Sequence, residues 1–139
     1  MHFKFEPARG FQIIADFYRC ACDDALLHDV GQLQTLCVTA CGQAGLTVVN
    51  QAFHQFGDSA HPYGATGAVV LAESHLAVHT WPELRAVTLD VYACNVSQDN
   101  GERVQALYDA LHGAFQPNQV QTQKLQRGDL ALAEPANLL

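Results

Sequence analysis

The sequence predicts an α+β fold, a two-layer sandwich in which one antiparallel sheet carries helices packed on one face. Three observations lead there. Six segments hold the β-branched and aromatic residues of strands, and two hold apolar stripes at helical spacing. Four of the strands run in succession with no helix between them, which suits antiparallel rather than parallel pairing. The chain has 139 residues, the size of a single domain, taken here as 1–139.

Each element has its own signal. FQIIADFY (11–18) is rich in β-branched and aromatic residues, so it reads as a strand. Asp23 and Asp24 then offer N-caps for a helix. Val30, Leu33, Cys37, Ala40 and Ala44 recur at spacings of three and four, and Gly45 is placed to end that helix. LTVVNQAFHQF (46–56) is a second strand, and GDSAHPYGAT (57–66) reads as a loop on its glycines, proline and Asp-Ser pair. GAVVLAE (67–73) is almost entirely apolar, as a central strand should be. HLAVHT (75–80) is a fourth strand, stopped by Pro82. RAVTLDVYAC (85–94) alternates Val87, Leu89 and Val91 with Thr88, Asp90 and Tyr92. A polar turn, NVSQDNGE (95–102), precedes a helix whose stripe is Val104, Leu107, Leu111 and Phe115, with Pro117 beyond it. A sixth strand is expected near Gln119–Leu125, followed by a loose tail to Leu139. Helices on one side leave the other sheet face bare, which calls for a second subunit.

Composition supports that expectation. Hydrophobic residues make up 49% and charged residues 15%, against roughly 25% charged in ordinary domains. A homo-oligomer would cover the surplus apolar surface. Net charge is −7, from 7 basic and 14 acidic residues, which argues against nucleic-acid binding. There is no apolar run of about 18 residues and no signal-peptide pattern, so neither membrane insertion nor export is expected. Cys20, Cys22, Cys37, Cys41 and Cys94 are odd in number and lack paired zinc spacing. They read as free thiols of a reducing cytoplasm, the first four as small buried hydrophobes.

The stretch LAESHLAVHTWPE (71–83) crowds a hydroxyl, two imidazoles, an indole and two carboxylates together. His75 and His79 would be a metal pair on a helix. On a strand they stand about 13 Å apart, too far to share an ion, so no metal is expected. Ser74 lacks the glycines of a nucleophile elbow and by itself reads as a strand-end serine. Cys94 closes a strand ahead of a polar loop, where a thiol is either structural or reachable for chemistry.

ESHLAVHTWPE, followed by LDVYAC with its cysteine twenty residues after the serine, resembles the prokaryotic S-adenosylmethionine decarboxylase family in its short form. FQIIADFYRC resembles that family's first-strand motif and TVVNQAFHQF its second strand, so the likeness runs over roughly residues 10 to 127. The resemblance implies a pyruvoyl group made by self-cleavage between Glu73 and Ser74, giving a β chain (1–73) and an α chain (74–139). It implies that Ser74 becomes the pyruvoyl group that forms a Schiff base with the substrate amine. His79 would be the base of the processing step and Thr66, where relatives usually have serine, its assisting hydroxyl. Cys94 would return a proton to the substrate carbon. Phe56 would line an adenine pocket with support from Trp81, and Glu83 would accept the ribose hydroxyls. The product would feed polyamine (spermidine) synthesis, and the working form would be a homodimer of αβ units.

Two departures keep other readings open. The loop at 57–65 is about four residues longer than in short relatives, and Arg85 brings a charge beside the pocket where relatives often have a small residue. A pyruvoyl-dependent decarboxylase of arginine or ornithine is one alternative. An unprocessed, non-catalytic relative that regulates a partner is another, and a Cys94/His79 thiol hydrolase a third.

Overall fold

The structure is a computed structural model that describes residues 10–94 and 100–128. The polar turn expected over 95–99 and the tail beyond 128 lie outside those residues. The chain runs β1 (Gly10–Cys20), α1 (Asp24–His28), α2 (Val30–Gln43), β2 (Val48–Gly57), β3 (Pro62–Leu71), β4 (Ser74–Trp81), a 3₁₀ turn (Pro82–Leu84), β5 (Ala86–Cys94), α3 (Gly101–Phe115) and β6 (Pro117–Arg127). The strands form one sheet in the order β2-β3-β4-β5-β1-β6, and every neighbouring pair is antiparallel.

Alternation along the strands decides which face is core. Ile13, Ala15 and Phe17 of β1, Leu76 and Val78 of β4, and Val87, Leu89 and Val91 of β5 are buried. They meet Leu33, Cys37, Ala40 and Cys41 of α2 and Val104, Leu107, Leu111 and Phe115 of α3. Burying a side chain of this size stabilises by about 1.5–3 kcal/mol relative to leaving it exposed, so these two stripes fix the helices to one face. Among the described residues no helix covers the opposite face, which carries Ile14, Val70 and Trp81, all exposed. The expected two-layer α+β sandwich is therefore the observed one.

Three local differences have physical causes. The first helix is two: Asp29 is extended, and its carboxylate accepts from Gly31 N at 2.8 Å to start α2 afresh. That helix ends as expected, with Gly45 left-handed (φ +82°), Gly45 N on Gly42 O at 3.0 Å and Leu46 N on Cys41 O at 3.0 Å. The loop expected over 57–66 shrinks to 58–61, because Pro62 occupies the first position of β3, where a missing N–H is tolerated. Between β3 and β4 the strand signal of 67–73 breaks at Leu71, and Ala72 and Glu73 form a turn. Among the described residues no helix is long and apolar enough to cross a membrane.

Candidate active site

The turn between β3 and β4 places three of the expected residues together. Leu71 pairs with Ser74 across the turn, and Ser74 pairs with Ala93 on β5. The next residue along, Cys94, donates its backbone N–H to the Glu73 carbonyl at 2.9 Å. The peptide that joins Glu73 to Ser74 thus begins with a carbonyl already held by a fixed donor. The Asn100 amide bridges the same two residues, donating to the Cys94 carbonyl at 2.9 Å and the Glu73 carboxylate at 3.1 Å. Sequence reading missed Asn100. Its one visible signal was a place just ahead of a helical stripe, which suggests a cap and not a site.

The Cys94 thiol has a neighbour that the motif did not announce. It is Tyr92, whose phenol is pushed above its ordinary range by burial first and then by the Cys94 thiol. The Arg127 guanidinium stacks over the Tyr92 ring at 4.5 Å from its centre. Gly10, paired with Cys94 across the sheet, makes room: a Cβ there would stand 2.5 Å from the Tyr92 hydroxyl.

A second group gathers at the other end of β4. Thr66 and His79 are cross-strand partners, with Thr66 Oγ1 2.5 Å from His79 Nδ1. Beside them lies a cavity of about 290 Å³ lined by Phe56, Tyr63, His79, Thr80, Trp81, Pro82 and Glu83. Phe56, Trp81 and Glu83 are therefore in one place. Tyr63, hidden in a segment read as loop, joins them. Thr80 holds the floor from beneath: its buried hydroxyl donates to Leu27 O at 2.8 Å and accepts from Ala65 N at 2.9 Å. Arg85 is a correction. Its guanidinium does not enter the pocket but bonds the carbonyls of Cys20 (2.7 Å from Nε) and Cys22 and pairs with Asp24. Its backbone is left-handed (φ 45°), which ends the 3₁₀ turn and swings the side chain toward β1.

Within one chain the two groups do not meet. Ser74 and His79 are five residues apart on β4, about 16 Å at strand rise. His75 and His79 share the open face, four residues apart. His75 instead stands with Nε2 3.5 Å from the Asp90 carboxylate and its ring 5.6 Å from that of Tyr92. Among the described residues no three His, Cys, Asp or Glu side chains converge as metal ligands would. The other four thiols are free and buried. Burial pushes Cys20 and Cys41 up to about 11 and raises Cys22 and Cys37 as well. They pack as apolar groups.

Comparison with known proteins bears on the same residues. The family model for S-adenosylmethionine decarboxylase matches residues 11–128. The S-adenosylmethionine decarboxylase proenzyme of Acidithiobacillus ferrooxidans is 42% identical over 124 residues, 87% of this chain and 84% of that protein. The proenzyme of Thermoplasma volcanium is 37% identical over 128 residues, 92% of this chain and 91% of that one. The crystal structure of the adenosylmethionine decarboxylase from Aquifex aeolicus superposes with a TM-score of 0.76 at 30% identity, covering 94% of this chain and 98% of that one. The matched span takes in the turn at Glu73–Ser74, the Thr66–His79 pair and every strand of the sheet that carries them, and the chain belongs to the prokaryotic-type S-adenosylmethionine decarboxylase proenzyme family.

Proposed function

We propose that this chain is the proenzyme of a carboxy-lyase that decarboxylates S-adenosylmethionine for polyamine synthesis, with a pyruvoyl group made from its own Ser74. The family implies the pyruvoyl group. The observation that carries its assignment to position 74 is the Cys94 N–H held 2.9 Å from the Glu73 carbonyl oxygen. When Ser74 Oγ adds to that carbonyl carbon, negative charge gathers on an oxygen that already has a donor at the distance an oxyanion needs. The peptide C–N bond then breaks and the hydroxyl proton ends on the Ser74 nitrogen, leaving an ester. A base removes the Ser74 α-proton, and the ester's acyl half leaves Cβ as the new main-chain carboxylate of Glu73. The resulting dehydroalanine takes up water and releases ammonia, which leaves a ketone at the head of the 74–139 piece. The residues around the turn fit that outcome. Leu71 and Ser74 close the ladder on either side of Ala72 and Glu73, so the chain can part there without breaking a strand.

The ketone supplies the covalent electron sink for loss of carbon dioxide. The chain's own residues do the rest. Cys94, one residue beyond the cross-strand partner of Ser74, would return a proton to the substrate carbon. Phe56, Tyr63 and Trp81, at the His79 end of β4, would offer aromatic faces for the adenine and the sulfonium of a substrate held at position 74 of a second copy, and Glu83 would offer acceptors for its ribose hydroxyls. An aromatic cavity with a single carboxylate suits a nucleoside better than the chain of arginine or ornithine.

The Thr66–His79 pair acts on a second copy of the chain. About 16 Å of strand puts it out of reach of its own Ser74. A two-fold axis through the middle of the open sheet face would lay the His79 end of one β4 over the Ser74 end of the other. The same packing would cover Ile14, Val70 and Trp81, which are exposed in a single chain. The experiment is intact-mass analysis of the purified protein, followed by carbon dioxide release from S-adenosylmethionine, arginine and ornithine in parallel. Two fragments meeting at Glu73–Ser74 and release from S-adenosylmethionine alone are expected. An intact chain after long incubation, or faster release from either amino acid, would count against the proposal.

A further inference from the structure

We propose that Asn100 is a positioning residue for self-cleavage, holding the Glu73 carbonyl on the Cys94 N–H; this rests on the reading that the chain is cut between Glu73 and Ser74. Asn100 is only 2% exposed, and a buried amide has to find partners. Its Nδ2 hydrogens go to the Cys94 carbonyl (2.9 Å) and the Glu73 carboxylate (3.1 Å), and its Oδ1 accepts from Arg103 at 3.4 Å. Cys94 and Glu73 are the two partners of the hydrogen bond that meets the scissile carbonyl. One side chain therefore ties both ends of that bond.

The clamp matters because the sheet does not supply it. The β4–β5 ladder begins with Ser74 opposite Ala93, so the contact between Glu73 and Cys94 lies past its end, on a two-residue turn. Asn100 comes from a rigid support. It leads into α3, whose Val104, Leu107, Leu111 and Phe115 are fully buried. Asparagine at the start of a helix ordinarily spends its side chain on capping. Here the side chain makes no cap bond and is spent on the turn instead. The bond to Glu73 is strengthened by the carboxylate's charge. Among the described residues, the titratable side chains bonded to Asn100 include Glu73 from the turn and Arg103 from its own helix.

The test follows chain scission by intact mass in the wild-type protein, Asn100→Ala and Asn100→Asp, with circular dichroism to confirm folding. Misplacing a reacting carbonyl by about 1 Å costs on the order of a hundredfold. Asn100→Ala is expected to slow scission about tenfold to a hundredfold at every pH. Asn100→Asp sets a second carboxylate against Glu73 and removes the donor. It is expected to be as slow at neutral pH but to regain rate as pH falls, when a shared proton restores the bridge. Uncut Asn100→Ala chain should resist hydroxylamine, because the block precedes the ester, whereas uncut His79→Ala chain should be cleaved by it. Wild-type scission with both Asn100 variants cutting at the wild-type rate overturns the inference alone. So does an Asn100→Asp variant that is slow with no pH response. A wild-type chain that never cuts overturns the reading of the cleavage site as well.

Discussion

Mixing two inactive variants gives a sharp test of where the processing base comes from. Ser74→Ala has no hydroxyl to attack with, and His79→Ala has no base, so neither chain is expected to cut alone. A general base has to lie within about 2.6–3.2 Å of the proton it takes, or one water away. Ser74 and His79 of one chain are five residues apart on β4, about 16 Å. Side-chain motion does not close that gap while the strand stays paired to β3 and β5. In a mixed dimer, the Ser74 of the His79→Ala chain meets the intact His79 of its partner. Random pairing of equal amounts puts about half of the chains into mixed dimers. Co-expression followed by intact mass should therefore show about half of the His79→Ala chains cut and none of the Ser74→Ala chains. Absence of any cut His79→Ala chain in the mixture, alongside normal cutting of the wild type, would refute the argument from strand geometry.

Four further outcomes are expected. Cys94→Ala keeps the backbone N–H on the Glu73 carbonyl, so scission should stay within a few-fold while carbon dioxide release falls about 10²–10⁴-fold; equal losses in both assays would contradict the division of roles. Thr66→Ser keeps the hydroxyl beside His79 and frees its rotation, so scission timed by intact mass should quicken a few-fold, and slowing would count against Thr66 as the assisting hydroxyl. Arg85→Gly removes a charge that is bonded to Cys20, Cys22 and Asp24 and points away from the pocket; KM for the substrate should change less than about twofold even if the melting temperature falls. Burial raises Cys20 and Cys41 from 9.0 to about 11. The folded chain thus keeps protons that the unfolded chain gives up. The stability this supplies is whole below pH 9 and is lost as pH climbs from 9 to 11, which a melting series should show and a Cys20→Ala/Cys41→Ala variant should flatten.

Much of the fold was legible because burial imposes periods on a sequence. Val104, Leu107, Leu111 and Phe115 repeat at helical spacing since one side of α3 faces the sheet, and all four are fully buried. Strand alternation in β5 was equally plain. The loop at 57–66 is shorter than its composition predicts because Gly57, Pro62 and Gly64 are turn formers by local rule, while pairing with β2 overrides that rule from Pro62 onward. The split of the first helix at Asp29 escaped notice since an aspartate inside a helical stripe looks the same whether it caps or is exposed.

The motif in 71–83 determined by itself which residues to watch and which family the chain belongs to. The serine proposed for self-cleavage, its preceding acid, a distant histidine and a thiol stand at set spacings in the chain, and spacing is what a sequence records. Only the tertiary structure decided which of them stand together. Glu73, Ser74 and Cys94 meet because a hairpin turn abuts the end of β5, whereas Thr66 and His79 sit at the far end of β4 beside the aromatic pocket. Asn100 and Tyr92 joined the site, and Arg85 left it, for the same reason. Where a side chain points depends on the register and on the elements packed over it, and those contacts come from residues far away in the chain.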